Sequence, residues 1–439
     1  MSTIAAEHFP QKVLKLISLL ETEGHETWLV GGAVRNALLG KATDDFDLTT
    51  AALPDQFCNI LSEAGYDVIP TGWQFGTATV WLDKRLKCEI TTFRQESDYS
   101  DFRRPDRVSY SNSLSQDLKR RDFTINAIAW HPIRGLFDET GGVADLMAGV
   151  IQTVGKPEER FAEDPLRILR ALRFAAALDF NIENVTGSAM YRYRYNLQRI
   201  ARERIAIEWN QILLGSRWFE TAQANKEIIS VFIPYISRLE KQTCCRCVQE
   251  QENIISIAKT LDQQTLLQMI ILAEKSNASR DEFMTVLTDL HYSKQFRQTA
   301  LALFSLILDI KKLILPDNIV YSQPEERQLT HQILMHYGVN NIRLFLICVP
   351  YLTSISRHKR ECFSRLFNSF ISEDLPILVS DLKINGNEIM QILDLEQGRQ
   401  IGDLLNKLLL EVVSGRVPNE RSSQIHWLQS QKETKDTLV

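Results

Sequence analysis

The sequence contains no apolar run that approaches the ~20 residues needed to span a bilayer, and residues 1–11 show no secretory signal pattern. These two absences argue against a membrane-spanning or secreted class and predict a cytoplasmic protein. An excess of basic residues is also missing, because the formal net charge of the 439-residue chain is −5. Any surface that binds nucleic acid must therefore be local.

Cysteine is scarce, and the seven cysteines are spread thinly and odd in number, which favours reduced thiols over a disulfide framework. Cys244, Cys245 and Cys247 lie close together, but no partner pair of Cys or His at the usual spacing of a zinc site accompanies them. We therefore expect no zinc site there. A fixed repeat period is absent as well, and the length predicts two or more domains.

A paired glycine lies between a short apolar strand and a helix, in the run LVGGAVR that ends at Arg35. Because Gly31 and Gly32 have no side chains, a phosphate could approach their backbone N–H groups at the start of the helix. Asp45 and Asp47 follow on a predicted strand, where alternate residues share a face. Two carboxylates this close repel unless a cation lies between them, and Mg²⁺ suits oxygen ligands. The pattern predicts a metal site beside a phosphate site.

Two further polar segments carry candidate residues. Glu89, on a predicted strand, could complete a metal site or accept the proton of an attacking hydroxyl, although a lone strand glutamate is more often a surface residue. In the run KRRDFTINA, Arg121 could hold triphosphate oxygens, with Asp122 orienting it. Asn126 could bind a sugar hydroxyl or a backbone group. A charged helix start is the alternative interpretation of this run.

The run EDPLRILRALRF predicts a helix with arginines at intervals of three. Asp164 and Arg167 can project from one face, and Arg170 and Arg173 continue that stripe. Asp164 could accept a hydrogen bond from the exocyclic amine of cytosine or adenine, while Arg167 serves the ring nitrogen. Guanine and uracil present the reverse order and would leave buried groups unpaired. The alternatives are an N-cap role for Asp164, with Pro165 at the first helical position, and a solvated ion-pair helix.

Mixed strands and helices up to about residue 147 predict one α/β or α+β domain, and helical periodicity dominates from residue 158 onward. The polar segment 94–119 is predicted to be a mobile loop. Predicted strands cover residues 29–30, 46–49, 76–82 and 87–93. Predicted helices cover residues 9–23, 33–39, 54–64, 165–178, 198–214, 264–274, 297–313, 341–352 and 401–413.

These motifs together resemble the class II tRNA nucleotidyltransferases, the family of bacterial CCA-adding enzymes and poly(A) polymerases. Segments 29–49, 88–94, 120–129, 163–174 and 203–214 have the order and spacing of that family. The resemblance implies an α+β fold, in which a nucleotidyltransferase head with a mixed or antiparallel sheet precedes an all-helical neck, body and tail. The implied bounds are head 1–148, neck with the base-selecting motif 149–216, body 217–315 and tRNA-binding tail 316–439. Two positions depart from the family pattern: Asn36 stands where Asp is usual, and Phe75 where His is frequent.

The resemblance implies template-independent addition of C, C and A to the 3′ end of tRNA from CTP and ATP. The tRNA 3′-hydroxyl would attack the α-phosphate in line and release pyrophosphate, with one metal ion at each reacting oxygen. Asp45 and Asp47 would bind Mg²⁺, and Glu89 would complete the catalytic carboxylates. The implied nucleotide-binding residues are Gly32, Arg35, Arg121, Asn126, Asp164, Arg167, Arg170 and Arg173. The implied partners are the acceptor arm and elbow of tRNA, CTP and ATP, and the protein would be a monomer or homodimer.

Two other readings remain open from the sequence. An A-only or CC-only adding enzyme, or a poly(A) polymerase, would carry the same motifs, although the full-length segment 98–117 weighs against CC-only addition. A non-catalytic RNA-binding relative is disfavoured by the intact Asp45, Asp47 and Glu89. Alternating Tyr and Arg over residues 191–195 could add an RNA contact or form a packed helix surface.

Overall fold

The computed structural model describes residues 4–97, 107–240, 260–313, 324–352, 354–373 and 375–436. Their contacts form two compact units, Met1–Lys241 and Gln242–Val439. The division into head, neck, body and tail stays a prediction. Cys244, Cys245 and Cys247 lie outside the described residues, as do residues 98–106 at the start of segment 98–117.

A mixed sheet of seven strands forms the centre of the first unit. The strands of this unit are β1 Thr27–Val30, β2 Phe46–Thr50, β3 Asp67–Gly72, β4 Thr77–Trp81, β5 Lys87–Thr92, β6 Arg94–Ser97, β7 Arg107–Tyr110, β8 Ala129–His131, β9 Gly135–Phe137, β10 Val150–Ile151 and β11 Asn181–Ile182. The order across the large sheet is β3-β4-β5-β2-β1-β8-β9. Only β2 and β5 pair in parallel within it, and the other neighbours are antiparallel.

The register of the central strands brings the candidate residues together. Asp47 on β2 lies opposite Glu89 on β5 and, on its other side, opposite Val30 at the end of β1. The chain leaves β1 directly into the paired glycine. Leu29, Val30 and Leu48 are buried, since β1 and β2 are interior strands. The buried residues of β1 and β2 therefore fix the position of Asp47 beside Glu89.

Helices cover the sheet and continue beyond it. In the first unit they are α1 Gln11–Thr22, α2 Gly32–Leu38, α3 Pro54–Glu63, α4 Leu114–Lys119, α5 Gly142–Ala148, α6 Pro157–Glu163, α7 Leu166–Leu178, α8 Asn184–Tyr193, α9 Arg202–Leu213, α10 Trp218–Ala224 and α11 Lys226–Ile229. The α7 helix is buried along most of its length and packs against α9. This packing explains why its arginines face polar partners rather than bulk water.

Three predictions from the sequence need correction. Segment 94–119 is not a loop throughout, because β6 and β7 pair as an antiparallel hairpin and α4 follows. Few apolar residues alternate there, so no period-two pattern indicates these strands. The predicted neck is not entirely helical, since β10 pairs in parallel with β11. Asp45 is exposed and lies just before β2 rather than within it.

Helices joined by turns and loops make up the described residues of the second unit. Its helices are α12 Leu261–Lys275, α13 Arg280–Asp289, α14 Lys294–Lys312, α15 Pro324–Tyr337, α16 Val339–Cys348, α17 Arg357–Ser372, α18 Gly386–Leu393, α19 Arg399–Val413 and α20 Arg421–Asp436. Buried aromatic pairs join them, such as Phe283 with Phe304 at 4.7 Å between ring centroids. In the described part of the chain no single helix is long and apolar enough to cross a membrane, although the bent pair Pro324–Tyr337 and Val339–Tyr351 meets that test by length and composition.

Gly142, the first residue of α5, gives a test of helix packing in the first unit. A Cβ at Gly142 would lie 2.0 Å from the carbonyl oxygen of Thr124, a backbone atom that cannot move aside. We expect Gly142→Ala to lower the free energy of unfolding by about 3 kcal/mol in urea titrations. Gly187→Ala is the control, because its Cβ would meet only Ile182 at an ordinary 3.7 Å and Ala favours the α8 helix. Equal stability of the two variants would contradict the close approach.

Candidate active site

A cleft of about 660 Å³ opens in the first unit beside β2, β5 and the start of α7. Seven residues singled out from the sequence line it: Asp47, Glu89, Arg121, Asp122, Asp164, Arg167 and Arg170. Five others do not line the cleft as the described residues define it: Gly32, Arg35, Asp45, Asn126 and Arg173. The fold thus gathers motifs that are more than 100 residues apart in the sequence, and the remaining candidates connect to them through hydrogen bonds or charge.

The carboxylates of Asp45, Asp47 and Glu89, on or next to β2 and β5, interact electrostatically. The pKa of Asp47 is raised to about 6, chiefly by burial; the charge of Arg121 opposes this rise, and the charges of Asp45 and Glu89 contribute to it. Among the described residues, the side-chain carboxylates of Asp47 and Glu89 form no hydrogen bond or ion pair, although their backbones are paired in the sheet. A buried, repelled and unpartnered carboxylate favours a bound cation.

The donor set fits a divalent metal that shares its ligands with a substrate. Among the described residues there is no group of three or more Asp, Glu, His or Cys able to hold a metal ion. Mg²⁺ commonly takes one or two carboxylates and fills the other positions with water and substrate phosphates. Asp45 and Asp47 match that open arrangement, whereas a closed structural site would need more protein ligands.

The turn after β1 brings the backbone of Gly31 close to these carboxylates. Gly31 has a φ of 74°, and a Cβ there would lie 3.2 Å from Nη1 of Arg121 and 3.5 Å from Oδ2 of Asp47. A side chain at this position would be strained and would enter the space between a cation and a carboxylate. Glycine at this position therefore leaves the space beside the Asp47 carboxylate open.

Arg35 on α2 is held by two amides. Its Nη1 donates to Asn126 Oδ1 at 2.7 Å, and its Nη2 donates to Asn36 Oδ1 at 2.9 Å. Burial lowers the pKa of Arg35 to about 10, with Asp122 opposing that change and Arg170 and Arg173 adding to it. Asn36, the residue that departs from the family pattern, therefore supports Arg35 without neutralising its charge.

Asp122 is the centre of the next contacts, and the prediction that it orients Arg121 is wrong. Its Oδ2 accepts from Nε of Arg170 at 2.7 Å, and its Oδ1 accepts from Nδ2 of Asn126 at 3.3 Å. Burial alone would raise the pKa of Asp122, but Arg170 holds it at about 2. Asp122 thus joins Arg170 on α7 to the Asn126–Arg35 pair of the head.

Arg121 is held instead by Asp117, a residue that the sequence reasoning missed. The carboxylate of Asp117 is completely buried and accepts from Nη2 of Arg121 at 3.4 Å and from Nε of Arg120 at 2.8 Å. Thr49 on β2 donates to the same carboxylate at 3.1 Å. The spacing of Asp117 to Arg120 and Arg121, three and four residues, was a signal available in the sequence.

Asp164 and Arg167 face the cleft and are fixed by neighbours. Oδ1 of Asp164 accepts from the backbone N–H of Leu166 at 3.0 Å, so Asp164 caps an N–H at the start of α7, although Pro165 rather than Asp164 occupies the N-cap position. Its Oδ2 accepts from Arg204 of α9 at 3.1 Å, a partner no sequence signal indicated. Nη1 of Arg167 donates to Glu163 at 2.5 Å. A carboxylate offers about four acceptor positions, so these contacts leave Asp164 able to accept another bond.

Three arginines lie around the ring of Phe174. The guanidinium carbons of Arg35, Arg170 and Arg173 lie 5.2, 5.7 and 4.7 Å from the centroid of its ring. Arg173 also pairs with Glu208 of α9, at 3.4 Å between Nε and Oε2. Cation–π contact and ion pairing therefore place Arg173 as a support for the other two arginines.

The low pKa of Asp122 gives a prediction for stability against pH. Because the folded pKa is about 2 and the ordinary value is 3.8, ionised Asp122 stabilises the fold above pH 4, and this contribution is lost as pH falls toward 2. We expect the difference in unfolding free energy between wild type and Asp122→Asn to shrink by about 1 kcal/mol from pH 6 to pH 3. Urea titrations at both pH values measure it, and a constant difference would contradict the assignment.

Comparison with known proteins gives consistent results along the chain. The family model described as "Poly A polymerase head domain" matches residues 27–152. The model "Probable RNA and SrmB- binding site of polymerase A" matches residues 179–227. The model "tRNA nucleotidyltransferase domain 2 putative" matches residues 262–428. The first two models lie in the first unit and the third in the second.

Whole-length relatives agree with these matches. The CCA-adding enzyme of Ligilactobacillus salivarius (strain UCC118) is 33% identical over 422 residues, 94% of this chain and 96% of the relative. The crystal structure of the Bacillus stearothermophilus CCA-adding enzyme in complex with CTP has a TM-score of 0.71 at 25% identity and covers 98% and 99% of the two chains. The Thermotoga maritima CCA-adding enzyme complexed with tRNA-CCA shares the fold, with a TM-score of 0.68 at 20% identity and 97% coverage of both chains. This chain therefore belongs to the family of CCA-adding enzymes and is a nucleotidyltransferase.

Proposed function

We propose that the cleft transfers CMP and AMP units from CTP and ATP to the 3′ end of tRNA, so that C, C and A are added in turn without a nucleic-acid template. The observation that carries this proposal is one cleft lined by both the unpartnered carboxylates Asp47 and Glu89 and the base-reading pair Asp164 and Arg167. The first pair supplies chemistry on phosphate, and the second supplies a choice of base.

Divalent metal use follows from membership of the nucleotidyltransferase family, and we propose Mg²⁺ as the ion, held by Asp45 and Asp47. Bound there, the ion would supply charge neutralisation for the reacting phosphate oxygens. Glu89, directly opposite Asp47 in the sheet, would accept the proton of the tRNA 3′-hydroxyl. Exposure of Asp45 and partial burial of Asp47 leave room for a nucleotide between protein and solvent.

The arginines hold the triphosphate and sugar in this proposal. Arg121 projects toward Gly31 and Asp47, and its guanidinium is positioned for phosphate oxygens. Gly32 begins α2, so its N–H can point to a phosphate. Arg35 and Asn126 form a pair that fixes the sugar side of the cleft. Arg170 connects that pair, through Asp122, to the helix that reads the base.

Base choice rests on an acceptor beside a donor. Asp164 accepts from the exocyclic amine that cytosine and adenine share, and Arg167 donates to the adjacent ring nitrogen. The side-chain hydrogen bonds of Arg167 to described residues use Nη1, so Nε and Nη2 are available as donors to the base. Arg204 and Glu163 hold the two readers from behind and limit their rotamers.

The RNA partner requires a locally basic surface, since the whole chain is acidic. Arg194 lies between Tyr191 and Tyr195, at 3.8 and 4.3 Å from their ring centroids. Both tyrosines are about half exposed, as a stacking surface for RNA requires. This surface falls within the segment matched by the probable RNA-binding model. We propose that it contacts the acceptor arm of tRNA and that tail residues contact the elbow.

Full CCA addition is favoured over A-only or CC-only addition and over poly(A) synthesis, because the whole-length relatives are CCA-adding enzymes. A cytoplasmic location is proposed from the free thiols of Cys58, Cys88, Cys348 and Cys362. The monomer or homodimer state stays a prediction. The deciding assay measures incorporation of labelled CTP and ATP into tRNAs that end at the discriminator base, at C, or at CC. Addition to only one or two of these substrates would reject the proposal.

The metal site gives a prediction that separates catalysis from folding. We expect Asp45→Ala and Asp47→Ala each to reduce kcat by about 10³-fold or more in Mg²⁺. The melting temperature should not fall, because Asp47 is a buried carboxylate without a hydrogen-bond partner in the described chain. Asp44→Ala is the matched control, since Asp44 is an exposed neighbour outside the cleft. Near-normal incorporation by either site variant would reject the metal assignment.

The base-reading pair gives a prediction on nucleotide preference. Uracil presents a carbonyl to Asp164 and an N–H to Arg167, and each buried mismatch costs about 1–3 kcal/mol. The double variant Asp164→Ala/Arg167→Ala should therefore lose CTP and ATP efficiency, and its CTP/UTP ratio of kcat/KM should fall by about tenfold or more.

The capping role of Asp164 needs its own control. Asp164→Asn keeps an oxygen for the N–H of Leu166 and should lower the CTP/UTP ratio with little loss of stability. If Asp164 acts only as a cap, the alanine variant loses about 1 kcal/mol of stability and nucleotide preference stays unchanged. Measuring kcat/KM for all four nucleotides beside a melting curve decides between the two roles.

A further inference from the structure

Asp117 is a buried carboxylate at which three side chains from two parts of the head meet. It lies on α4 with no exposed surface. Arg120 pairs with Oδ1 at 2.7 Å, while Arg121 and Thr49 both donate to Oδ2. Burial would raise the pKa of Asp117, but the charges of Arg120 and Arg121 hold it below its ordinary value. The group is therefore an anion in the folded protein.

Two guanidiniums that line the cleft share the carboxylate of Asp117. Arg120 and Arg121 both line it, and each side chain is mostly buried. Two neighbouring buried cations would repel each other and turn outward to water without an anion between them. Asp117 keeps them together. Guanidinium groups held at the wall of a cleft are suited to bind an anion there.

Arg121 is held in place by Asp117. Asp117 is the acceptor for the guanidinium of Arg121 among the described residues, and the Nε of Arg121 is buried without a partner. Its Nη1 points toward Gly31, beside Asp47. Loss of the Asp117 carboxylate would therefore free Arg121 from the position in which it faces Asp47.

Thr49 ties this cluster to the catalytic strand. Asp47 and Thr49 are two residues apart on β2, so they share a face of the sheet. The hydrogen bond from Thr49 to Asp117 is buried. The position of Arg120 and Arg121 relative to Asp47 is thus set through β2 rather than through a surface loop.

We propose that Asp117 is a positioning residue for nucleotidyl transfer, which holds Arg121 and Arg120 where they contact the triphosphate and which is aligned with Asp47 through Thr49. The proposal rests on the proposed function of the cleft. Asp117 itself touches neither the nucleotide nor the tRNA, and its effect is on the phosphate-binding arginines.

The test compares the full chain with Asp117→Asn, which keeps the shape and the acceptor for Thr49 but removes the charge. We expect KM for CTP and for ATP to rise together by about tenfold, with kcat changed by less than about threefold. The Ki of inorganic pyrophosphate should rise by the same factor, because pyrophosphate uses the same arginines. The CTP/UTP ratio should not change, since the base readers are untouched. Thr49→Val should shift KM and Ki in the same direction by a smaller factor.

Asp138→Asn is the matched control. Asp138 caps α5 by accepting from the N–H groups of Gly142 and Val143, both at 2.9 Å, and has no contact with the cleft. It should lower the melting temperature and leave KM and Ki unchanged. An unchanged pyrophosphate Ki in folded Asp117→Asn, or an equal rise in the control, would overturn the proposal. If Asp117→Asn does not fold, Thr49→Val decides alone by the same criterion.

A second measurement separates this proposal from the proposed function. Titration calorimetry with inorganic tripolyphosphate, without metal, reports the arginine site independently of catalysis. If wild type adds no nucleotide to tRNA, the proposed function fails, but weaker tripolyphosphate binding by Asp117→Asn would still support the positioning role. Equal tripolyphosphate affinity in wild type and Asp117→Asn would overturn it.

Discussion

Charge compensation between buried arginines and buried carboxylates organises the cleft. Arg121 has Asp117, Arg170 has Asp122, and Arg167 has Glu163. Each pair removes most of the cost of placing a cation away from water, and each fixes one guanidinium in one direction. Arg35 differs, because amide oxygens hold it and its charge is not cancelled. The site therefore combines rigid, neutralised arginines with a few that keep net positive charge.

Much of the head could be predicted from the sequence, where one physical signal dominated. The order strand, paired glycine, helix and second strand is visible because apolar runs alternate with turn residues, and the structure has β1, α2 and β2 there. The α7 helix was equally clear from its periodic apolar residues. The hairpin β6–β7 was missed because its strands have no apolar face, so its backbone pairing leaves no pattern.

Contacts between distant residues were the part that the sequence could not supply. The partner of Asp164 is Arg204, forty positions away, and Asp122 pairs with Arg170 rather than with its neighbour Arg121. Sequence spacing predicts neighbours on one helix, whereas these pairs depend on how helices and sheet pack together. The residues that line the cleft were therefore found more readily than the residues that hold them in place.

The Asp122 junction has a consequence for redesigning base choice. Asp122 binds Arg170, on the helix proposed to read the base, with one oxygen and Asn126, proposed to lie on the sugar side, with the other. Under the proposed function these two roles share Asp122, and an exchange at Arg170 would disturb Asn126 as well as the base-reading helix. An enzyme engineered for another nucleotide should be altered at Asp164 and Arg167, whose supports come from α6 and α9, and the Asp122 junction should be left intact.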